Sequence, residues 1–358
     1  MITRTSSPQP TLKPPRAVGP ERHTKDVVPA WQRSLSQAVR TVSELTDLLG
    51  LGPEVGTAAA GEDFPLRVPR GYVDRMRRED PHDPLLLQVL PTAAELRTTP
   101  GYSHDPLGER QAAAAPGVLH KYRGRALLLV TAACAVHCRY CFRRHFPYAE
   151  HRLSGEQLDR ALRYLADQPS LSEIILSGGD PLSLSDDKLG RLAASLAEIP
   201  HLERLRIHTR LPIVLPERVD HNLLEWLTGN RLRPVVVLHA NHPQEIDRAV
   251  HQAIARLKRA DILVLNQTVL LAGVNDDAKV LGRLSEALFS AGVLPYYLHL
   301  MDRVEGAAHF EVDADSARRI VGQMMRELPG YLVPKLVQEV AGAPSKLPVS
   351  PLGAGEAG

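Results

Sequence analysis

The chain has 358 residues, and its 43 Lys and Arg nearly balance 41 Asp and Glu, leaving a formal charge of +2. With no long basic block and no aromatic stacking series, the composition argues against nucleic-acid binding. No run of about 18 apolar residues occurs, and the opening Met1-Ile-Thr-Arg-Thr-Ser-Ser-Pro8 lacks a signal peptide's apolar stretch, so the expectation is a cytoplasmic protein without a membrane segment.

Residues 1–28 are polar and proline-bearing and read as a disordered tail. Trp31, Leu35, Ala38, Val39, Val42 and Leu45 follow three-and-four spacing, which predicts one amphipathic helix. Turns and short helical pieces follow, from Phe64 to Met76 and on toward Asp83 to Leu90. Residues 29–120 therefore read as a mainly helical accessory region.

From Ala126 the pattern becomes an alternation of apolar strands and amphipathic helices. Candidate strands are Ala126–Val130, Glu173–Leu176, Arg204–His208, Val235–His239, Ile262–Asn266 and Tyr296–Leu300. Helical patterns lie near Gly155–Leu165, Asp186–Leu196, Asn222–Leu227, Pro243–Lys258 and Asp277–Ala291. Six such units predict an α/β fold, a partial (β/α)6 barrel of TIM type over residues 121–305, with reactive loops at the C-terminal ends of the strands. An open doubly wound sheet shares this alternation. Residues 306–358 form a C-terminal region.

The chain's only three cysteines, Cys134, Cys138 and Cys141, follow the first candidate strand in the pattern C-x3-C-x2-C. Three thiolates at that spacing suit a [4Fe-4S] cube whose fourth iron stays open for the amino and carboxylate groups of S-adenosylmethionine. An electron from the cluster then breaks the sulfonium bond and releases a 5'-deoxyadenosyl radical. A zinc site completed by His137 or His145 is the main rival, weakened by the lack of a second ligand pair at finger spacing. The ferredoxin pattern differs, and an odd number of closely spaced cysteines fits disulfides poorly.

The second strand runs into Ser177-Gly178-Gly179-Asp180. Paired glycines allow backbone amides to approach a ligand, and Asp180 offers a carboxylate to an ammonium; a tight turn capping the next helix is the plainer alternative. Near the C-terminus, Gly342-Ala-Pro-Ser-Lys346-Leu-Pro sets a lysine in a loop of small residues. A lysine amine can hold an aldehyde cofactor, although a lone lysine there otherwise reads as solvated.

The cysteine loop with its continuation to Tyr148, Ser177 to Leu182, Leu205 to Pro216, Leu265 to Asp276 and Pro295 to His299 together resemble the lysine 2,3-aminomutase family of radical SAM enzymes. The resemblance runs from about Arg67 to Val349 with motif order kept. More narrowly, Ala307-Ala-His-Phe310, Tyr331-Leu-Val-Pro-Lys335 and the end of the chain at Gly358 are similar to the EpmB branch, which serves (R)-β-lysylation of elongation factor P.

The resemblance implies a radical SAM barrel and roles for particular residues. Cys134, Cys138 and Cys141 would ligate the cluster, with Gly178, Gly179, Asp180 and His239 around S-adenosylmethionine. Lys346 matches the lysine that binds pyridoxal 5'-phosphate, Tyr122 and Arg125 lie near its phosphate, and Gln267 bridges toward the cofactors. Arg143 matches the partner of the substrate carboxylate. Asp302 and Glu339 match the carboxylates facing the substrate's side-chain ammonium, where free-lysine aminomutases carry Asp in place of Glu339.

The implied reaction converts L-α-lysine to β-lysine. Its implied partners are L-lysine, an external electron donor such as flavodoxin or ferredoxin, a lysyl-tRNA-synthetase-like ligase and elongation factor P. Longer family members carry further cysteines that build a zinc site between subunits. This chain has Asp277 in that region and ends without the tail, so the expectation is no zinc and a monomer or weak dimer. A free-lysine aminomutase of metabolism, an aminomutase for another amino acid, and a non-catalytic iron–sulfur scaffold are the alternatives.

Overall fold

The computed structural model describes residues 28–148, 153 and 155–351. The tail expected over residues 1–28 lies outside these, apart from Val28. Short helices open the described chain: α1 Ala30–Ser36, α2 Val42–Leu49, α3 Arg70–Val73 and α4 Pro84–Leu87. The single helix predicted from Trp31 through Leu45 is therefore broken in two. Val39 leaves the helix to exchange backbone hydrogen bonds with Val68, at 2.8 and 3.0 Å. Thr41 then starts α2 afresh, its hydroxyl accepting from Glu44 N at 3.2 Å. A long-range bridge outweighs the local apolar period.

A single ten-stranded sheet follows, its strands in chain order: β1 Ala113–Ala115, β2 Val118–Tyr122, β3 Arg125–Thr131, β4 Glu173–Gly178, β5 Arg204–Thr209, β6 Arg233–His239, β7 Leu263–Val269, β8 Leu294–His299, β9 Lys335–Gln338 and β10 Leu347–Pro348. Strands β3 to β9 run parallel, and antiparallel strands flank them at both edges. The six predicted parallel strands are present, each within three residues of its expected bounds. β9 is a seventh, supplied by the C-terminal region, and β1 with most of β2 comes from the accessory region. The sheet thus continues across residues 120 and 305. This is a mixed α/β partial barrel, open between β1 and β10.

Helices α5 Gly155–Ala166, α6 Asp186–Ala197, α7 Leu211–Val214, α8 His221–Thr228, α9 Arg248–Arg259, α10 Ala278–Ser290 and α11 Ala314–Glu327 link and flank the strands. The helix predicted from Pro243 begins instead at Arg248, because Asp247 caps it through Val250 N at 2.8 Å after a 3-10 turn at Pro243–Glu245. Leu128, Ile174, Ile207, Val236 and Val264 alternate along their strands with cavity-lining residues and are nearly fully buried in the main core, packed with the helices. Burial of this kind stabilises by about 25 cal/mol per Å² of apolar surface. Among the described residues, no helix is long and apolar enough to cross a membrane.

Candidate active site

The C-terminal ends of the parallel strands surround a cavity of about 360 Å³. All fourteen site residues named from the sequence line it, from the three cysteines at one end to Lys346 at the other. They arrive from the accessory hairpin, five strand ends and the C-terminal segment, so only closure of the sheet brings them together.

Cys134, Cys138 and Cys141 sit in the loop leaving β3 and carry free thiols. Burial, then the neighbouring Cys141, pushes the Cys134 thiol well up; burial and Cys138 raise Cys141 to about 11. The accessory region clamps this loop from behind. Arg139, between the second and third cysteines, is fully buried and donates to Glu95 Oε1 at 2.9 Å, Glu95 Oε2 at 2.5 Å, Phe64 O at 2.6 Å and Ala60 O at 2.9 Å. Arg144 donates to the same Glu95 at 2.9 Å.

The paired glycines serve this loop directly. Gly179 N donates to Thr131 O and Asp180 N to Ala133 O, both at 2.7 Å. Gly178 has φ +124, and a Cβ there would lie 2.4 Å from Thr131 O; one on Gly179 would lie 2.4 Å from Ala133 O. Glycine is required because β4 touches the cysteine loop backbone to backbone. Asp180 is likewise engaged, accepting from Thr209 Oγ1 at 2.7 Å, Arg210 N at 2.7 Å, Leu182 N at 3.1 Å and Leu211 N at 3.1 Å. Burial lifts it to about 6 against these hydrogen bonds.

At the other end, Lys346 Nζ lies 2.5 Å from Glu339 Oε2, and Lys121 Nζ lies 3.2 Å from Glu339 Oε1. Burial opposes the charge on Glu339, yet Lys346 and Lys121 bring it down to about 2. Asp302, just beyond β8, goes the other way: burial and then Glu339 raise it to about 7. Arg125 stacks on the Tyr122 ring at 4.6 Å, and among the described residues no carboxylate forms an ion pair with it. His239 at the end of β6 has a buried Nε2 without a hydrogen-bond partner among the described residues, as do His208 and His299, and burial leads the causes that hold all three below the ordinary imidazole range. Gln267 lies on β7, on the same cavity wall.

Three site residues escaped the sequence. Glu109 pairs with Arg143 at two points and with Lys121 at 3.3 Å, linking the two halves of the cavity. Arg210 donates to Cys138 Sγ at 2.7 Å and to Glu245 Oε1 at 2.6 Å. Isolated charges carry no periodic signal, and Arg210 was visible only as a member of a matching segment.

Residues 128–283 match the family described as the Radical SAM superfamily. L-lysine 2,3-aminomutase of Escherichia coli (strain K12) is 49% identical over 322 residues, covering 89% of this chain and 94% of that protein. The chain belongs to the lysine 2,3-aminomutase family of radical SAM enzymes. L-lysine 2,3-aminomutase of Haemophilus influenzae is 46% identical, covering 88% of this chain and 94% of its own. That of Clostridium subterminale is 35% identical, covering 90% and 78%.

As a lysine 2,3-aminomutase family member the protein is an isomerase, and the radical SAM domain brings with it S-adenosylmethionine and an iron–sulfur cluster. The donor set fits a cluster. Three half-buried thiols crowd one end of the cavity, and their neighbours help to raise Cys134 and Cys141, which is relieved when cationic iron holds them as thiolates. Among the described residues no three His, Cys, Asp or Glu side chains converge at the spacing of a single metal ion; a cube spreads its ligands more widely. The Lys346 end fits an aldehyde cofactor bearing a phosphate: a cavity-lining amine lies in the same chamber as an Arg125 guanidinium that has no carboxylate partner among the described residues.

Proposed function

We propose that this enzyme converts L-α-lysine to (R)-β-lysine with a [4Fe-4S] cluster, S-adenosylmethionine and pyridoxal 5'-phosphate, for β-lysylation of elongation factor P. The observation that carries this reading is the Lys346–Glu339 ion pair, set in the same cavity as the three cysteines. When bound, the cluster with S-adenosylmethionine supplies the radical and pyridoxal phosphate supplies the carbonyl that holds the migrating amine.

The chain's own groups divide the remaining work. Arg143 takes the substrate carboxylate, for which a guanidinium has the matching donor fork. Glu339 stays charged at any physiological pH and, with Asp302, faces the side-chain ammonium. Two carboxylates suit a buried cation, whose desolvation is otherwise costly. Lys346 must shed a proton to act as a nucleophile. Glu339, its ion-pair partner, is far too acidic to take it, whereas Asp302 lines the same cavity with its carboxyl raised to about 7. Arg125 and Tyr122 meet the cofactor phosphate, and the glycine-clamped loop keeps the cysteines fixed against the S-adenosylmethionine seat. The enclosing walls exclude water from reactive species.

The onward path rests on the resemblance in Ala307 to Phe310 and Tyr331 to Lys335. It runs through a lysyl-tRNA-synthetase-like ligase to elongation factor P, with flavodoxin or ferredoxin as electron donor and the enzyme as a monomer or weak dimer in the cytoplasm.

Borohydride reduction with pyridoxal phosphate tests the anchor. A covalent adduct on Lys346, absent from Lys346→Ala, is expected. An adduct on Lys335 would overturn the assignment.

A further inference from the structure

Arg143 is read as the partner of the substrate carboxylate, yet its donors are already engaged. Nε donates to Glu109 Oε2 at 2.7 Å and Nη2 to Glu109 Oε1 at 2.8 Å, the two-point geometry in which a guanidinium holds a carboxylate most strongly. Nη1 donates to Ser177 Oγ at 2.9 Å. A guanidinium has only five N–H groups. Nη1 also reaches Gly178 O at 3.5 Å, so of the five only one N–H, on Nη2, is left over, and while Glu109 stays a second carboxylate finds no two-point edge on Arg143.

Glu109 has another partner within reach. Lys121 Nζ lies 3.3 Å from Glu109 Oε1, so parting from Arg143 does not strand a buried charge. The backbone around Glu109 is fixed: Asp105 accepts from Glu109 N at 2.8 Å and from Arg110 N at 3.2 Å. An exchange between Arg143 and Lys121 therefore needs only a turn of the Glu109 side chain. Gly108, at φ +61, lies against Ala341, with 3.5 Å between its Cβ position and the Ala341 Cβ, so this loop also touches the segment between Glu339 and Lys346.

We propose that Glu109 is a specificity-determining residue that fills the carboxylate seat on Arg143 in the substrate-free pocket and turns onto Lys121 when the substrate carboxylate arrives. The proposal rests on the reading of Arg143 given above. Glu109 is then an internal competitor: an amine that lacks a carboxylate cannot displace it, and an amino acid must reach Arg143 to do so.

The test uses the cofactor-loaded enzyme under anaerobic conditions. Glu109→Gln keeps the shape and removes the charge, so the KM for L-lysine should fall about three- to tenfold, while inhibition by 1,5-diaminopentane, which has no carboxylate, stays unchanged. Glu109→Asp, whose carboxylate is one methylene too short for both points on Arg143, should likewise lower the KM for L-lysine and leave inhibition by 1,5-diaminopentane unchanged. A KM that rises in Glu109→Gln and Glu109→Asp as far as in Arg143→Lys would show that Glu109 merely orients Arg143 and would overturn the proposal. Wild-type enzyme that turns over no lysine is a failure of the functional reading; lysine turnover with an unaltered KM in Glu109→Gln is a failure of this proposal alone.

Discussion

Lys346 and Glu339 form an ion pair at 2.5 Å, so the proposed cofactor anchor holds one of the two carboxylates that would face the substrate ammonium. The pocket therefore already holds one primary ammonium against a carboxylate proposed to face that of the substrate. Glu339→Gln should raise the KM for L-lysine about tenfold or more, since a hydrogen bond to a charged group contributes roughly 1.5 to 3 kcal/mol. Glu339→Asp should recover part of that loss. Steady-state kinetics at saturating cofactors measure both.

Asp302 gives a prediction in stability. Its folded pKa, near 7, exceeds the roughly 3.9 of an unfolded aspartate, so the unfolded chain releases the proton first. Stability then falls as pH rises from about 4 to about 7, and the cost is fully present above that. Glu339 acts in the opposite sense, adding stability that is lost as pH falls toward about 2. Asp302→Asn should therefore raise the melting temperature of the cofactor-free protein more at pH 8 than at pH 5, while impairing lysine turnover. Thermal denaturation at the two pH values checks it.

The strands were legible because buried parallel strands are short apolar runs bounded by turns, as in Ala126 to Val130. Spacing and resemblance singled out the cysteines and Lys346, which line one cavity. β9 was not: Lys335–Gln338 buries only its two central residues, too few to show a period. Glu109 was invisible for a different reason. Its role exists only because the sheet brings residue 109 beside residue 143, and nothing in its neighbours signals that. The glycine pair was read as room for a ligand, whereas the backbone contact with Thr131 and Ala133 is what excludes a Cβ.

That contact yields a third prediction. Gly179→Ala places a methyl against backbone rather than against a yielding side chain, so β4 and the cysteine loop must part. Binding of S-adenosylmethionine to the reconstituted protein, measured by equilibrium dialysis, should be lost or greatly weakened. Wild-type affinity would show that the loop can shift at little cost.

Glu95 yields a fourth. It neutralises Arg139, and Arg144 shares it, so Glu95→Gln leaves buried guanidinium charge uncompensated. Breaking such a pair costs about 3–5 kcal/mol. Chemical denaturation should show that loss, and the reconstituted cluster should bleach faster in air, because Arg139 lies between two of its proposed ligands.

The central claim is that one cavity joins radical generation to a lysine-shaped pocket. Its most direct measurement incubates the reconstituted, reduced enzyme anaerobically with S-adenosylmethionine, pyridoxal phosphate and, in turn, L-lysine, L-glutamate or L-norleucine, and then resolves α from β isomers. β-Lysine should form fastest, and should vanish in Cys138→Ala and in Lys346→Ala. A faster β-glutamate product, or β-lysine formed undiminished by Lys346→Ala, would contradict the account.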